Sequence, residues 1–496
     1  MHLARNLLLI AVTLVFPVAS LAQNKASASA VPLDAQRLQS IDSYVTGEMA
    51  RYRIPGLAVG IYSRGTVLLA KGYGQANVEL DVPVKPETLF QSGSIGKQFV
   101  SAAIMMLVEE GKLSLDDSLA KYFPDAPETW KPILIKNLLS HTSGLSEYES
   151  RDRTGSTGPF YLRLDFTEDE LVTKIEALPI EWAPGEKWAY RNTNYVLLGV
   201  IIHKVTGKPY ADFLNERIFK PSGMTATRLI SDRAIVSNRA AGYEIGADGQ
   251  LNNQAWVSPT FNSTADGALY FNVLDLAKWD RALYGTQLLK QSSLDLIWTV
   301  YRLNDDKPNP GGYGFGWEIG QQNNRKRIEH DGAWQGFTSD ISRYPDDNLT
   351  VVVLTNLDSG HSNPRLIAHV IAGIVDPPLL PAKLIAIPDT DPEIATTLAK
   401  VLDKVATGED MRSQASTTFA AMITPAAAKQ AQQILAKLWP GGTLTLVKRI
   451  SPPNAAGQIT SIFRLSKSDE AIMVIFSLAP DGKVSAIRFL PDREYE

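Results

Sequence analysis

The sequence predicts an α+β fold: one antiparallel sheet drawn from the two ends of a large domain, a mainly helical region inserted between them, and a small α+β domain at the C-terminus. Three observations predict it. Strand-like patterns lie at 56–70 and 336–355, helical spacing dominates 112–330, and prolines from Pro377 to Pro392 cut off a last segment with helices and strands of its own. A chain of 496 residues, 44% hydrophobic, can bury a large core, and two domains are the expectation.

Taken in order, Met1 to Ala22 carries one basic residue, Arg5, then the apolar run Leu7 to Val18, then Ser20-Leu21-Ala22 with small residues where a signal peptidase reads. This pattern predicts a signal peptide over 1–22 and a secreted or periplasmic protein. A retained anchor is the alternative, but the run is short for a membrane span. Residues 23–33, rich in Ala and Ser, read as a lead-in, and Leu38 to Tyr52 as a helix. Gly56 to Ser63 and Thr66 to Ala70, separated by Arg64-Gly65, read as a hairpin. After Thr88 to Gly93, an amphipathic run places Ile95, Phe99, Ala102, Ala103, Met106 and Leu107 at helical spacing, so that Ser94 opens a helix. Thr167-Glu168-Asp169-Glu170 has the capping-box pattern, and Asn192 to Val205 and Tyr210 to Phe219 are periodic. His330-Asp331-Gly332-Ala333 precedes a second hairpin, Gly336 to Tyr344 and Leu349 to Thr355, and an amphipathic helix near Pro364 to Val375 closes the domain at 35–375. Residues 376–391 read as a linker. In 392–496, Pro392 to Val405 and Thr424 to Leu438 read as helices, followed by strands Thr443 to Ile450, Gln458 to Leu465, Ala471 to Leu478 and Val484 to Leu490.

Composition excludes several classes. There is no cysteine, hence no disulfide framework, thiolate metal site or lipid on an N-terminal cysteine. Without residues 1–22 the chain has 48 basic and 53 acidic residues, a net charge of −5, which offers no broad basic surface for nucleic acid. No later apolar run is long enough for a membrane span. No fixed-period repeat, glycine-rich phosphate loop or histidine pair at ligand spacing is present, so neither a metal nor another cofactor is expected.

Three short motifs carry the chemistry. In Ser94-Ile95-Gly96-Lys97 the two polar residues are three apart on a helix, within reach of each other, and a nucleophile at a helix start sits near unpaired backbone N–H donors able to stabilise an oxyanion. Tyr190-Arg191-Asn192 lies on a polar turn before the apolar helix Val196 to Ile202. His330-Asp331-Gly332 comes third. Ser-x-x-Lys, then Tyr-x-Asn, then a basic residue with x-Gly resembles the penicillin-recognising serine hydrolases, in the branch of class C β-lactamases, serine esterases and D-amino-acid peptidases. The resemblance spans roughly 35–375 and extends to Leu138 to Leu145, Pro221 to Met224 and Gly312 to Trp317. It implies a β-lactamase/transpeptidase-like fold. One departure is His-Asp-Gly where β-lactamases carry Lys-Thr-Gly, which points toward the esterase and D-peptidase members.

On this resemblance Ser94 is the nucleophile and Lys97 either takes its proton or keeps a neighbouring base deprotonated, with Tyr190 as the second candidate base, whose phenol Lys97 would lower from its ordinary value near ~10 so that it passes a proton to the leaving group. Asn192 would orient a substrate amide or Lys97, and the backbone N–H groups of Ser94 and Ala333, beside Gly332, would form the oxyanion hole. His330 is either a substrate-carboxylate anchor or a hydrogen bonder at a strand edge. His141 reads as a structural hydrogen bonder, His203 and His369 as packing residues. Trp182, Trp188, Tyr313, Phe315, Trp317 and Trp334 are core or pocket lining. The substrate would be a small ester or a peptide amide, D-amino-acid-containing amides included. The alternatives are a β-lactamase or cell-wall carboxypeptidase, and a penicillin-binding sensor that acylates without turnover.

Overall fold

A computed structural model describes residues 33–148, 162–246, 248–358, 361–450 and 457–495. The expected signal peptide lies outside the described residues. Helix α1 (Ala35–Tyr52) starts on Asp34, whose side chain accepts from Arg37 N, and stops at Arg53 in the left-handed region. The predicted hairpin follows as β1 (Gly56–Ser63) and β2 (Thr66–Asn77), turning through Arg64 and Gly65, both at positive φ; β2 runs seven residues beyond its predicted end and pairs with β3 (Val82–Pro83).

The main sheet has seven strands. In spatial order it runs β3, β2, β1, then Leu349–Thr355, Phe337–Tyr344, Arg325–Trp334 and Glu318–Gln322. All of the named pairings are antiparallel, and the joint between the chain ends sets Leu57 opposite Thr355 and Tyr62 opposite Thr350. Because side chains alternate across a strand, Leu57, Val59, Ile61, Val351 and Val353 pack against α1 and the helix Pro364–Val375. Ala58, Tyr62, Val352 and Leu354 face the inserted region. Burial on both faces explains why these strands read as continuous apolar runs.

The inserted region is not purely helical. It contains a three-stranded sheet of Phe90–Gln91, Leu269–Phe271 and Arg228–Leu229, and a small hairpin, Tyr243–Ile245 with Leu251–Asn253. These strands are too short to show a period. Its centre is helix α2 (Lys97–Glu109), buried along residues 97–107. A buried ion pair, Arg343 Nε to Asp280 Oδ1 at 2.8 Å, ties the helix Val273–Ala282 to the sheet.

The C-terminal domain is the predicted meander, a four-stranded antiparallel sheet with the helices Pro392–Thr407 and Pro425–Leu438 over one face. A further short helix, Thr417–Met422, was not expected. Residues of the linker are packed: Leu379 and Leu384 are buried, and Leu384 N donates to Glu494 O. No helix of the described residues is long and apolar enough to cross a membrane.

Candidate active site

Ser94 does not open the α-helix. It lies in a 3-10 turn, Gly93–Gly96, and α2 begins at Lys97. The turn is forced by close backbone approach: Gly93 has φ +50°, and a Cβ there would sit 2.4 Å from Ala333 N. A Cβ on Gly332 would sit 2.1 Å from Ser92 O and 3.1 Å from Ser94 N. Gly332 and Ala333 on the strand Arg325–Trp334 thus lie against the turn carrying Ser94, bringing the first and third motifs together.

Lys97 is fully buried. Its Nζ lies 2.9 Å from Ser94 Oγ, 2.9 Å from Asn192 Oδ1 and 2.5 Å from Asp266 O. Two of these partners, the Asn192 and Asp266 oxygens, can only accept; Ser94 Oγ can accept or donate. As an ammonium, Lys97 donates to all three. As an amine it keeps both obligate acceptors satisfied and turns its lone pair to the serine hydroxyl. The cage therefore accommodates both states of a proton carrier, and Asn192 is a Lys97-orienting residue, one of the two roles expected of it. Its place is set by Glu147 Oε2, which accepts from Asn192 N at 2.8 Å.

Tyr190 stands beside this cage, with Lys97 Nζ 4.9 Å from its ring centroid. Its hydroxyl is buried with no hydrogen bond of normal geometry. Burial pushes the phenol well above its ordinary value, and the Ser94 hydroxyl opposes this. The direction is thus upward, not the lowering expected from Lys97, because desolvation is the largest influence on the phenol.

His330 takes one of the two roles expected of it. Its side chain is 1% exposed, with Nε2 2.8 Å from Tyr313 Oη and Nδ1 2.5 Å from Asp331 O. Burial pushes the imidazole down to about 4, against the raising effect of Asp331. A neutral ring with both nitrogens engaged is no carboxylate anchor, so the hydrogen-bonding alternative describes it; it holds Tyr313. The pairing with Glu318–Gln322 ends at Glu329, so His330 sits where the neighbouring strand stops. Glu318, His330 and Asp331 have potential ligand atoms within 4.8 Å of one another. Arg365 already occupies the two acids, at 2.8 Å from Glu318 Oε1 and 3.2 Å from Asp331 Oδ1, so the group is built as an ion-pair cluster.

His141 is structural, as expected: its Nδ1 meets Asn194 Nδ2 at 3.1 Å, and its ring lies 4.3 Å from that of Tyr190. His369 packs and also meets Glu329 Oε2 at 2.6 Å. His203, read as packing, is instead a partly exposed partner of Glu168 at 2.9 Å. Tyr313, Phe315 and Trp317 are core, whereas Trp334 lines the cleft, with Nε1 donating to Asn262 Oδ1 at 3.0 Å. Sequence reading missed Asp266, Gly267 and Phe261, which line the recess beside Ser94. Only the family order of motifs singled out residues, and Thr264-Ala265-Asp266-Gly267 carries no pattern that marks a cleft.

The Beta-lactamase family model matches residues 41–375 of the chain. The protein belongs to the β-lactamase family. A penicillin-binding protein of Bacillus subtilis (strain 168) is 31% identical over 318 residues, covering 59% of this chain and 68% of that protein. Protein flp of Staphylococcus aureus (strain COL) is 31% identical over 350 residues, 68% of this chain and 66% of the relative. The chain thus spans about two thirds of the length of each. Among solved structures, the octameric penicillin-binding protein homologue of Pyrococcus abyssi superposes with TM-score 0.61 at 24% identity, covering 92% of this chain and 99% of that one. That match includes the C-terminal domain in the shared fold. The protein is a β-lactamase-family serine hydrolase with a β-lactamase/transpeptidase-like α+β fold and an added C-terminal four-stranded sheet.

Proposed function

We propose that the protein is an exported hydrolase that forms an acyl-enzyme on Ser94 and cleaves small esters or peptide amides. The observation that carries this is Lys97 Nζ standing 2.9 Å from Ser94 Oγ, held there by the Asn192 and Asp266 oxygens. Neutral Lys97 takes the serine proton as Oγ attacks the substrate carbonyl carbon. The oxyanion faces the N–H groups of Ser94 and Ala333. Tyr190, protonated because it is buried, gives its proton to the leaving group as the carbonyl carbon–leaving group bond breaks, and Lys97 returns one to it. Water then attacks the acyl carbon, passing its proton to the same pair, and Ser94 leaves with a proton restored. Export rests on the pattern at 1–22 alone.

The test is labelling and turnover. A fluorophosphonate probe should label the protein and not Ser94→Ala, and that variant should lose nearly all p-nitrophenyl ester hydrolysis while melting within about 1 °C of the parent. Labelling retained by the variant would remove Ser94 from the reaction.

A further inference from the structure

We infer that Asp266 makes the cleft selective for substrates bearing a positive charge next to the scissile bond, the class being amino-acid amides or esters with a free amine. This rests on the hydrolase reading above and names its substrate class. Asp266 is 5% exposed and lines the recess with Ser94, Asn192 and Phe261. Among the described residues its carboxylate receives one hydrogen bond, from Tyr148 Oη to Oδ2 at 2.8 Å, and no cation pairs with it. An ionised carboxylate offers about four acceptor positions, and a buried one is favourable only when paired. Tyr148 is itself buried and stacked on Phe261 at 5.8 Å, so the carboxylate is held in place. The backbone oxygen of the same residue receives Lys97 Nζ, which puts this charge within one residue of the reacting groups.

Among the described residues, the other charges around the cleft are engaged elsewhere. Arg191 is committed to Glu181 at 2.6 Å, and Arg365 to Glu318 and Asp331. Lys97 Nζ is turned to three oxygens, while His330 and His141 are kept neutral by burial. Both Glu147 oxygens accept from backbone N–H groups, of Asn192 and Tyr148. A substrate ammonium supplies the missing donors and charge, whereas a substrate carboxylate meets no unpaired cation among the described residues.

The test compares alanine p-nitroanilide with its N-acetyl form, which differ in the charge and not in the bond cleaved. The full-length protein should prefer the free amine at pH 7, and the preference should decline as pH rises through the substrate amine pKa of about 8. Asp266→Asn should lower the ratio of kcat/KM values at least tenfold, mainly through KM, and Asp266→Glu should recover part of it. A parent that prefers the acetylated substrate, or a ratio unmoved by Asp266→Asn, overturns the assignment even if both rates fall together. Loss of the hydrolase reading shows up separately, as absent p-nitrophenyl ester turnover. In that event binding to Ser94→Ala decides: alaninamide should raise its melting temperature more than N-acetylalaninamide, and adding Asp266→Asn should erase the difference. Equal shifts for the two amides would reject the inference.

Discussion

At Lys97 an ionisable group lies fully out of water, and oxygens of Ser94, Asn192 and Asp266 meet it. His330, also buried, stays neutral between Tyr313 and Asp331. Its folded pKa, about 4, lies below the ordinary histidine value near ~6.5. Between those values the unfolded chain binds more protons, so stability rises with pH across that window and is lost on acidification through it. His141 and His369, also pushed down mainly by burial, act in the same direction, while Asp340, raised well above the carboxylate range by burial and then by Glu329, acts in the opposite one. Comparing parent and His330→Asn isolates the single group. From pH 6.5 to 4.5 the parent should lose roughly 1–3 kcal/mol more than the variant, read from urea midpoints. Parallel losses would mean that His330 titrates alike in both states.

The element that delivers the nucleophile is a 3-10 turn pressed onto a strand edge. Helical spacing from Ile95 onward is genuine, but Ser94 belongs to the tighter turn because Gly93, at φ +50°, admits Ala333 where a side chain would stand. Gly93→Ala adds both left-handed strain and a methyl 2.4 Å from Ala333 N. It should lower kcat/KM for p-nitrophenyl esters by about 100-fold or more, since small misplacements of reacting groups cost about that much. Its melting temperature should fall as well. An alanine variant with parental kinetics would show that the Ser94 turn and the Ala333 strand need not touch. Sequence order had suggested that the motifs meet, but the contact depends on main chain from a strand and a turn far apart in the chain, which no local pattern encodes.

Across the molecule, Asp280 joins what the chain separates. Its carboxylate accepts from Arg343 Nε at 2.8 Å, Thr350 Oγ1 at 2.7 Å and Gly65 N at 2.7 Å, linking the inserted region to a turn from the first chain end and two strands from the last. Asp280→Ala leaves Arg343, 1% exposed, as an unpaired buried charge and should cost about 3–5 kcal/mol of stability. Asp280→Leu combined with Arg343→Met should recover much of it, because removing both charges also removes their desolvation. Denaturant midpoints of the three proteins check this. A loss under about 1 kcal/mol in Asp280→Ala would show that the guanidinium finds water or another acid.

The four hairpin strands of the main sheet and the C-terminal meander were legible in the chain because their signals are local: apolar runs, period-two alternation and turn residues between them. Val82–Pro83, Glu318–Gln322 and Arg325–Trp334 were not read as strands. Ser94, Lys97, Tyr190 and Asn192 were legible as a set through their order and spacing, and the turn and cage bring them together. The protonation of Tyr190, the neutrality of His330 and the place of Asp266 were not. Each is an energy of transfer from water to a particular surrounding, and that surrounding is made by residues such as Tyr148, Tyr313 and Asp331 from other parts of the chain. Residue type supplies the titrating group, whereas folding supplies the dielectric and the neighbours that decide its charge.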